Sequence, residues 1–274
     1  MSLIEAIVLG IVQGLTEFLP VSSTANLRIV PAFFGWEDPG AAFTAVTQLG
    51  TMVAVLAYFR ADLWRITQAW THSVVRRQRP GNLDARLGWY IVIGTVPIVI
   101  FGLLFERQIE TGARSLYLMG TTLIVLGFVL LLAERVGSHR RSIEEMSTRE
   151  GVLVGLAQAA ALIPGVSRSG ATISAGLFLG LDRRAAARFS FLLSVPAVVL
   201  SGLFQLLGIV RGDPGESGGV VGLVVATLLA FAVGYASIAF LLRYLTDHST
   251  AVFVVYRVGL GVLVLALAAT GVIS

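Results

Sequence analysis

Apolar residues run through this chain in blocks, and the polar breaks between them fall at spacings that a membrane helix dictates. A spanning helix needs roughly 20 mostly apolar residues. Six segments reach that length: about 40–59, 86–105, 115–133, 185–209, 219–243 and 250–272. The fourth and fifth keep their charges near their ends and are long enough to cross with tilt. Two stretches are built differently. Residues 3–19 stop at Pro20, and the polar run Ser22, Ser23, Thr24, Asn26 precedes a second apolar piece ending at Gly35. Residues 151–163 stop at Pro164, and a glycine-rich polar segment leads into a second piece ending near Gly180. Each is predicted to be a re-entrant pair of half-helices whose turn lines a cavity, because irregular backbone at membrane depth needs cover from protein or water.

The two broken stretches resemble each other. Shifting the first by 145 positions places Gly10 on Gly155, Gln13 on Gln158, Val21 on Val166, Ser22 on Ser167 and Gly35 on Gly180. The match continues with Asp38 near Asp182, Ala41 and Ala42 on Ala186 and Ala187, Val53 on Val198 and Phe59 on Phe204. A re-entrant pair returns to its own side and three spans cross, so the second half is inverted relative to the first. The expected fold class is therefore all-α: a polytopic membrane protein with six transmembrane helices, two re-entrant half-helix pairs and an inverted-topology repeat. It forms a single membrane domain, with repeats about 1–135 and 146–274. Binding sites in such a plan form near the midplane, where broken helices meet.

Composition agrees with this. The 274 residues are 56% hydrophobic and 13% charged, with a mean hydropathy of +0.85, whereas about 25% of residues are charged in soluble domains. All 20 basic residues are arginine. The high pI with a net charge of +4 therefore reflects arginine use, and no nucleic-acid partner is expected. The chain has no cysteine, which excludes disulfides, thiol catalysis and cysteine-ligated metals. The run Leu3 to Leu19 lacks a basic leader and carries Glu5, Gln13 and Glu17, so it is expected to belong to the fold and not to a cleaved signal.

Arginines also give an orientation. With the loop 60–86 in the cytoplasm, fourteen fall on that side and three, Arg107, Arg114 and Arg211, on the other. Arg28, Arg168 and Arg257 belong to neither face. An ionisable residue at membrane depth costs at least about 2.5 kcal/mol and marks a functional site by default.

The segment "PGVSRSGAT" at 164–172 reads as an anion pocket, most simply for phosphate. Gly165 lets backbone N–H groups approach a ligand, the following half-helix offers its positive end, and Arg168 adds a planar fork suited to phosphate oxygens. Ser167, Ser169 and Thr172 add hydroxyls. The plain alternative is a helix break with Arg168 bound to carbonyls. In the first stretch, Gln13 and Glu17 share a helix face one turn before the serines. A carboxylate there serves as general base or holds a divalent cation on a diphosphate, while a Ser22, Ser23 or Thr24 hydroxyl caps the next helix. Arg257, after Tyr256, is expected to be a second phosphate clamp or the counter-charge of Glu17, and Gln48 is a weaker candidate for the site. Arg28 snorkels along its half-helix. His72, His139 and His248 are expected in exposed loops.

The segments "QGLTEFLPVSSTANL" and "PGVSRSGATISAGLFLG", with "TQLGT" and the late "YR", closely resemble the signature motifs of the undecaprenyl-diphosphate phosphatase family, bacterial membrane enzymes linked to bacitracin resistance. The resemblance implies hydrolysis of undecaprenyl diphosphate to the monophosphate carrier of cell-wall synthesis, in the bacterial plasma membrane, with the active site toward the outer face. It implies a divalent cation, Mg or Ca, and it implicates Glu17, Ser22, Ser23, Ser167, Arg168, Thr172 and Arg257, with Gln13 at a position that accepts glutamate or glutamine. Asn26 departs from the pattern, since the family usually has histidine there. Asparagine neither titrates nor attacks phosphorus efficiently. The expected chemistry then runs on Ser23 as nucleophile with Glu17 as base or metal ligand, and Asn26 orients the phosphate. The alternatives are a catalytically weak homologue or a flippase for polyprenyl phosphate. The expected partners are a polyprenyl diphosphate and the bilayer, and a homodimer is compatible with the reading.

Overall fold

The computed structural model describes residues 1–105, 115–210 and 219–273, and every regular element among them is helical. Arg107, Arg114 and Arg211 lie outside the described residues, as does the Phe204 side chain. Eleven α-helices follow in order: α1 Leu3–Phe18, α2 Ser23–Phe34, α3 Gly40–Tyr58, α4 Arg60–Val75, α5 Leu83–Leu104, α6 Leu116–Val136, α7 Thr148–Ala159, α8 Arg168–Phe178, α9 Arg183–Val210, α10 Val220–Asp247 and α11 Ala251–Ala269. Local chemistry sets their ends. Ser2 with Glu5 and Ser147 with Glu150 form capping boxes before α1 and α7, and Asn82 and Ser115 cap α5 and α6. Gly35, at φ 66°, closes α2 in the left-handed conformation that glycine adopts without cost.

Five helices, α5, α6, α9, α10 and α11, are long and apolar enough to cross a membrane, and α3 makes a sixth if it is taken with α4 as one bent unit. The protein is thus a multi-pass membrane protein. Segment 60–86 is a correction: expected as a loop, it holds α4, bent 72° from α3. Its arginines masked an apolar face on which Ile66 and Ser73 are buried. His72 consequently sits on a helix, and His139 is half-buried, its ring bonded to the Glu134 carbonyl.

Water does not drive helices together in lipid, so close backbone contact must do so, and small residues permit it. α1 lies on α10 at Gly10, where an added Cβ would come within 2.6 Å of the Ala226 carbonyl oxygen. α7 lies on α5 at Gly155, where a Cβ would meet the Gly94 oxygen at 2.3 Å. The arginine-rich segments gather at one end. Arg188 donates to Asp62 at 2.9 Å, Arg86 to the Glu144 carbonyl at 3.1 Å, and Glu134 accepts from both Arg183 and the Thr250 hydroxyl. Arg28 pairs with Asp38 at 3.3 Å and does not merely snorkel.

Candidate active site

Two breaks face each other inside the bundle. After α1, Leu19 turns extended and Pro20 removes a donor, and the chain re-enters helix at Ser22, φ 70° and ψ 99°. After α7, a short turn at Ala160–Leu162 and Pro164 lead to Ser167, φ 69° and ψ 117°. Each serine caps the helix it precedes, Ser22 accepting from the Ala25 N–H at 3.5 Å and Ser167 from the Gly170 N–H at 3.1 Å. A positive φ at a residue with a side chain costs on the order of 1–3 kcal/mol and persists only where the surroundings impose it.

Those surroundings are polar and specific. The Arg257 guanidinium, fully buried, donates to the carbonyls of Pro20 at 3.1 Å, Gly165 at 3.0 Å, Val166 at 3.1 Å, Leu123 at 3.3 Å and Thr122 at 3.4 Å. It therefore touches both turns and α6 at once. The Ser169 hydroxyl donates to the Leu19 carbonyl at 3.0 Å, and Thr122 to the Pro164 carbonyl at 2.7 Å. Asn26 donates to the carbonyls of Val21 at 3.1 Å and Ser22 at 2.8 Å, and its oxygen accepts from Tyr256.

The turns enclose the polar end of a cavity of about 600 Å³. Gln13, Glu17, Ser22, Ser23, Thr24, Gln48, Gly165, Ser167 and Arg168 line that end, and Ile98, Val99, Leu103, Leu162, Ile163, Val198 and Leu200 line the rest. Glu17 is the centre. Its Oε2 accepts from the Ser23 hydroxyl at 2.7 Å and from Gln13 at 3.0 Å, and its Oε1 accepts from Arg168 at 2.6 Å. Glu17 stands in the last turn of α1 and Arg168 in the first turn of α8, each at the helix end whose dipole disfavours its charge. Their pairing offsets that cost.

Several expected site residues stand elsewhere. The Arg257 donors go to backbone carbonyls and not to Glu17, and the residue is absent from the cavity wall, a placement unlike that expected of a phosphate clamp or of the counter-charge of Glu17. Asn26 lies behind the first turn with its amide committed there. Ser169 bonds the opposite turn, and Thr172 faces Ser190 at 2.6 Å and the Arg168 carbonyl at 2.8 Å. Gln48 does line the cavity, and so does Thr44, one turn earlier on α3. The four-residue spacing of Thr44 and Gln48 was the signal available for it.

Among the described residues no group of three or more His, Cys, Asp or Glu side chains comes together. Glu17 is the cavity's carboxylate, and the Gln13 Oε1 beside it is buried without a partner. One carboxylate and one amide oxygen fit a hard cation that takes its other oxygens from phosphate and water.

A broken-helix membrane fold whose polar cavity pairs a carboxylate, a serine hydroxyl and an arginine is a candidate for phosphoryl chemistry on an amphiphile. The family model described as "Bacitracin resistance protein BacA" matches residues 6–263. Similar curated proteins include an undecaprenyl-diphosphatase of Nocardioides sp., 57% identical over 99% of this chain and 98% of its own, and one of Pelodictyon phaeoclathratiforme, 55% identical over 100% of both. An undecaprenyl-diphosphatase of Myxococcus xanthus is 54% identical over 100% of this chain and 92% of its own. The chain belongs to the BacA family.

Proposed function

We propose that this protein hydrolyses undecaprenyl diphosphate to undecaprenyl phosphate and inorganic phosphate, recycling the lipid carrier of cell-wall synthesis at the plasma membrane. The observation that carries the reading is the Glu17 carboxylate, which binds the Ser23 hydroxyl through one oxygen and Arg168 through the other inside a cavity with apolar walls. The family and its relatives' names supply the substrate.

In this reading the diphosphate displaces Arg168 partly from Glu17 and takes the guanidinium as a bidentate partner. The positive ends of α2 and α8 face it. Ser23 Oγ attacks the terminal phosphorus as Glu17 takes its proton. The bond from that phosphorus to the bridging oxygen breaks, and undecaprenyl phosphate leaves. Glu17 passes the proton it took from Ser23 to the departing phosphate oxygen and is again a carboxylate. It then takes a proton from the water that attacks the phosphoserine phosphorus, the bond from phosphorus to Ser23 Oγ breaks, and Glu17 returns that proton to the serine oxygen as phosphate leaves. Arg168 balances the charge that shifts to the leaving oxygen. A divalent cation arriving with the diphosphate would take oxygens of Glu17 and Gln13 and neutralise phosphate charge.

The repeat is supported by paired details: Ser22 and Ser167, Gly35 and Gly180 at φ 66° and 83°, and Asp38 and Asp182, which accept from the N–H groups of Gly40 and Ala185. The contacts of α1 with α10 and of α7 with α5 are likewise exchanged by the 145-position shift. We read the broken pairs as re-entrant and the arginine-rich end as cytoplasmic. The cavity's apolar wall belongs to the opposite ends of α5 and α9, which favours an outward-facing site. Val99, Leu103, Ile163 and Leu200 line the cavity and are also exposed at the surface, a route by which the prenyl chain reaches lipid. The flippase alternative drew on Asn26, and the placement of that residue gives it no support.

The test is phosphate release by the purified protein from undecaprenyl diphosphate, with and without Mg²⁺ or Ca²⁺. No release under either condition overturns the reading.

A further inference from the structure

Helix α4 contributes nothing to this cavity, yet its sequence and placement are unlike those of any other helix described. It lies 72° from α3, near the membrane plane if α3 crosses the bilayer. Its free side carries Trp64, 66% exposed, and Val75, 75% exposed, among Thr67, Gln68 and Thr71. Aromatic and aliphatic side chains mixed with polar ones suit the headgroup region. The inner side is pinned: Trp70 packs on Gly88 and edge-on to Trp89 at 5.8 Å, and Arg65 reaches Asp84 at 3.5 Å.

A second cavity, about 450 Å³, opens between the end of α4 and the start of α5, and it is lined by Gln68, His72, Ser73, Gln78, Arg79 and Asn82. Nearly all of these offer hydrogen-bond donors. Arg76, Arg77 and Arg79 stand exposed on the same turn and form no ion pair among the described residues, and Arg77 is held at φ 50°. The other arginines of the segment differ, since Arg65 is paired and Arg60 and Arg86 bond carbonyls.

We propose that this pocket, with Arg79 in its wall and Arg76 and Arg77 exposed beside it, binds the phosphate headgroup of an anionic phospholipid, with α4 lying in the interface of that leaflet. The charge has no acidic partner among the described residues, the pocket is large enough for a glycerophosphate, and the apolar stripe keeps it at headgroup depth. An arginine near an anionic surface is worth about a fivefold preference each.

The test places a Trp36→Phe variant, whose remaining tryptophans are Trp64, Trp70 and Trp89, in nanodiscs of phosphatidylcholine containing brominated phosphatidylglycerol or, at the same fraction, brominated phosphatidylcholine. The anionic lipid is expected to quench at a local concentration at least about fivefold higher. That preference should vanish with Arg76→Gln, Arg77→Gln and Arg79→Gln together, and should fall between 0.1 and 1 M salt, where the screening length drops from about 10 to about 3 Å. Equal quenching by both lipids overturns the proposal, and so does a preference untouched by salt. The salt arm needs no variant and stands if the triple variant fails to fold.

Discussion

Glu17 and Arg168 are 151 positions apart in the chain and 2.6 Å apart in the fold, each contributed by a different broken helix pair. With side chains 7% and 15% exposed, they form a pair whose separation would leave a charge stranded in a low-dielectric interior. Glu17→Gln removes both the base for Ser23 and the partner of Arg168. Phosphate release is expected to fall by about 10²–10⁴-fold, together with a drop in the thermal unfolding midpoint. Rates within tenfold of the parent would dismiss Glu17 as base.

Ser22 and Ser23 are adjacent and chemically identical, but their surroundings assign them different work. Ser22 caps α2, whereas the Ser23 hydroxyl meets Glu17. Ser23→Ala is expected to reduce kcat by at least about 10³-fold with the fold intact. Ser22→Ala should cost about 1 kcal/mol of stability, as lost caps do, and retain measurable turnover. Phosphate-release kinetics and unfolding midpoints on both variants decide it, and equal losses of kcat would argue against Ser23 as nucleophile.

How far the sequence revealed this fold depended on the length of each signal. Apolar runs of about 20 residues and the proline breaks carry their own geometry, so the long helices and both turns were readable. α4 was not, because its charged residues, Arg60, Asp62 and Arg65, fall in a segment too polar to read as a span, and only Ile66 and Ser73 are buried on it. That Gln13, Glu17 and Arg168 would gather at the broken helices was legible from spacing and from the cost of burying charge, whereas spacing alone did not separate Ser23 from Ser22 and Thr24. Arg257 was not legible: a lone buried guanidinium announces a partner without saying which, and backbone carbonyls leave no trace in a sequence.

Asn26→His tests the departure from the family pattern. Because the Asn26 amide ties Val21, Ser22 and Tyr256 together and lies off the cavity wall, a histidine there is expected to stay out of reach of a phosphate in the cavity. Phosphate release is expected to stay within about threefold of the parent, since no interaction made only in the transition state changes. A gain of a hundredfold would mean that position 26 enters the chemistry.

Arg257→Lys separates a staple from a clamp. Lysine's compact ammonium cannot span the carbonyls that the planar fork reaches on two turns and α6. Each buried carbonyl left without a donor costs about 1–3 kcal/mol. The expected result is a lower unfolding midpoint and a lower kcat, with KM for the lipid little changed. A phosphate clamp would instead raise KM, as Arg168→Lys should.

Acid should loosen the arginine-rich end. There the Arg141 guanidinium, hydrogen-bonded to Glu150 at the start of α7, holds that carboxyl below its ordinary value of 4.5. Arg141 also donates to the Leu179 and Glu145 carbonyls, at 2.9 and 2.8 Å, so the pair joins α7 to the end of α8. A carboxylate whose folded pKa is depressed contributes stability above its unfolded pKa and loses it as pH falls through the folded one. The difference in unfolding midpoint between the parent and Glu150→Gln should therefore be full at pH 7, begin to shrink near pH 4.5 and close below it. Because the pair is partly exposed, the difference should be modest and should diminish in high salt. A gap that is constant from pH 7 to pH 3 would assign Glu150 a role in packing and capping alone.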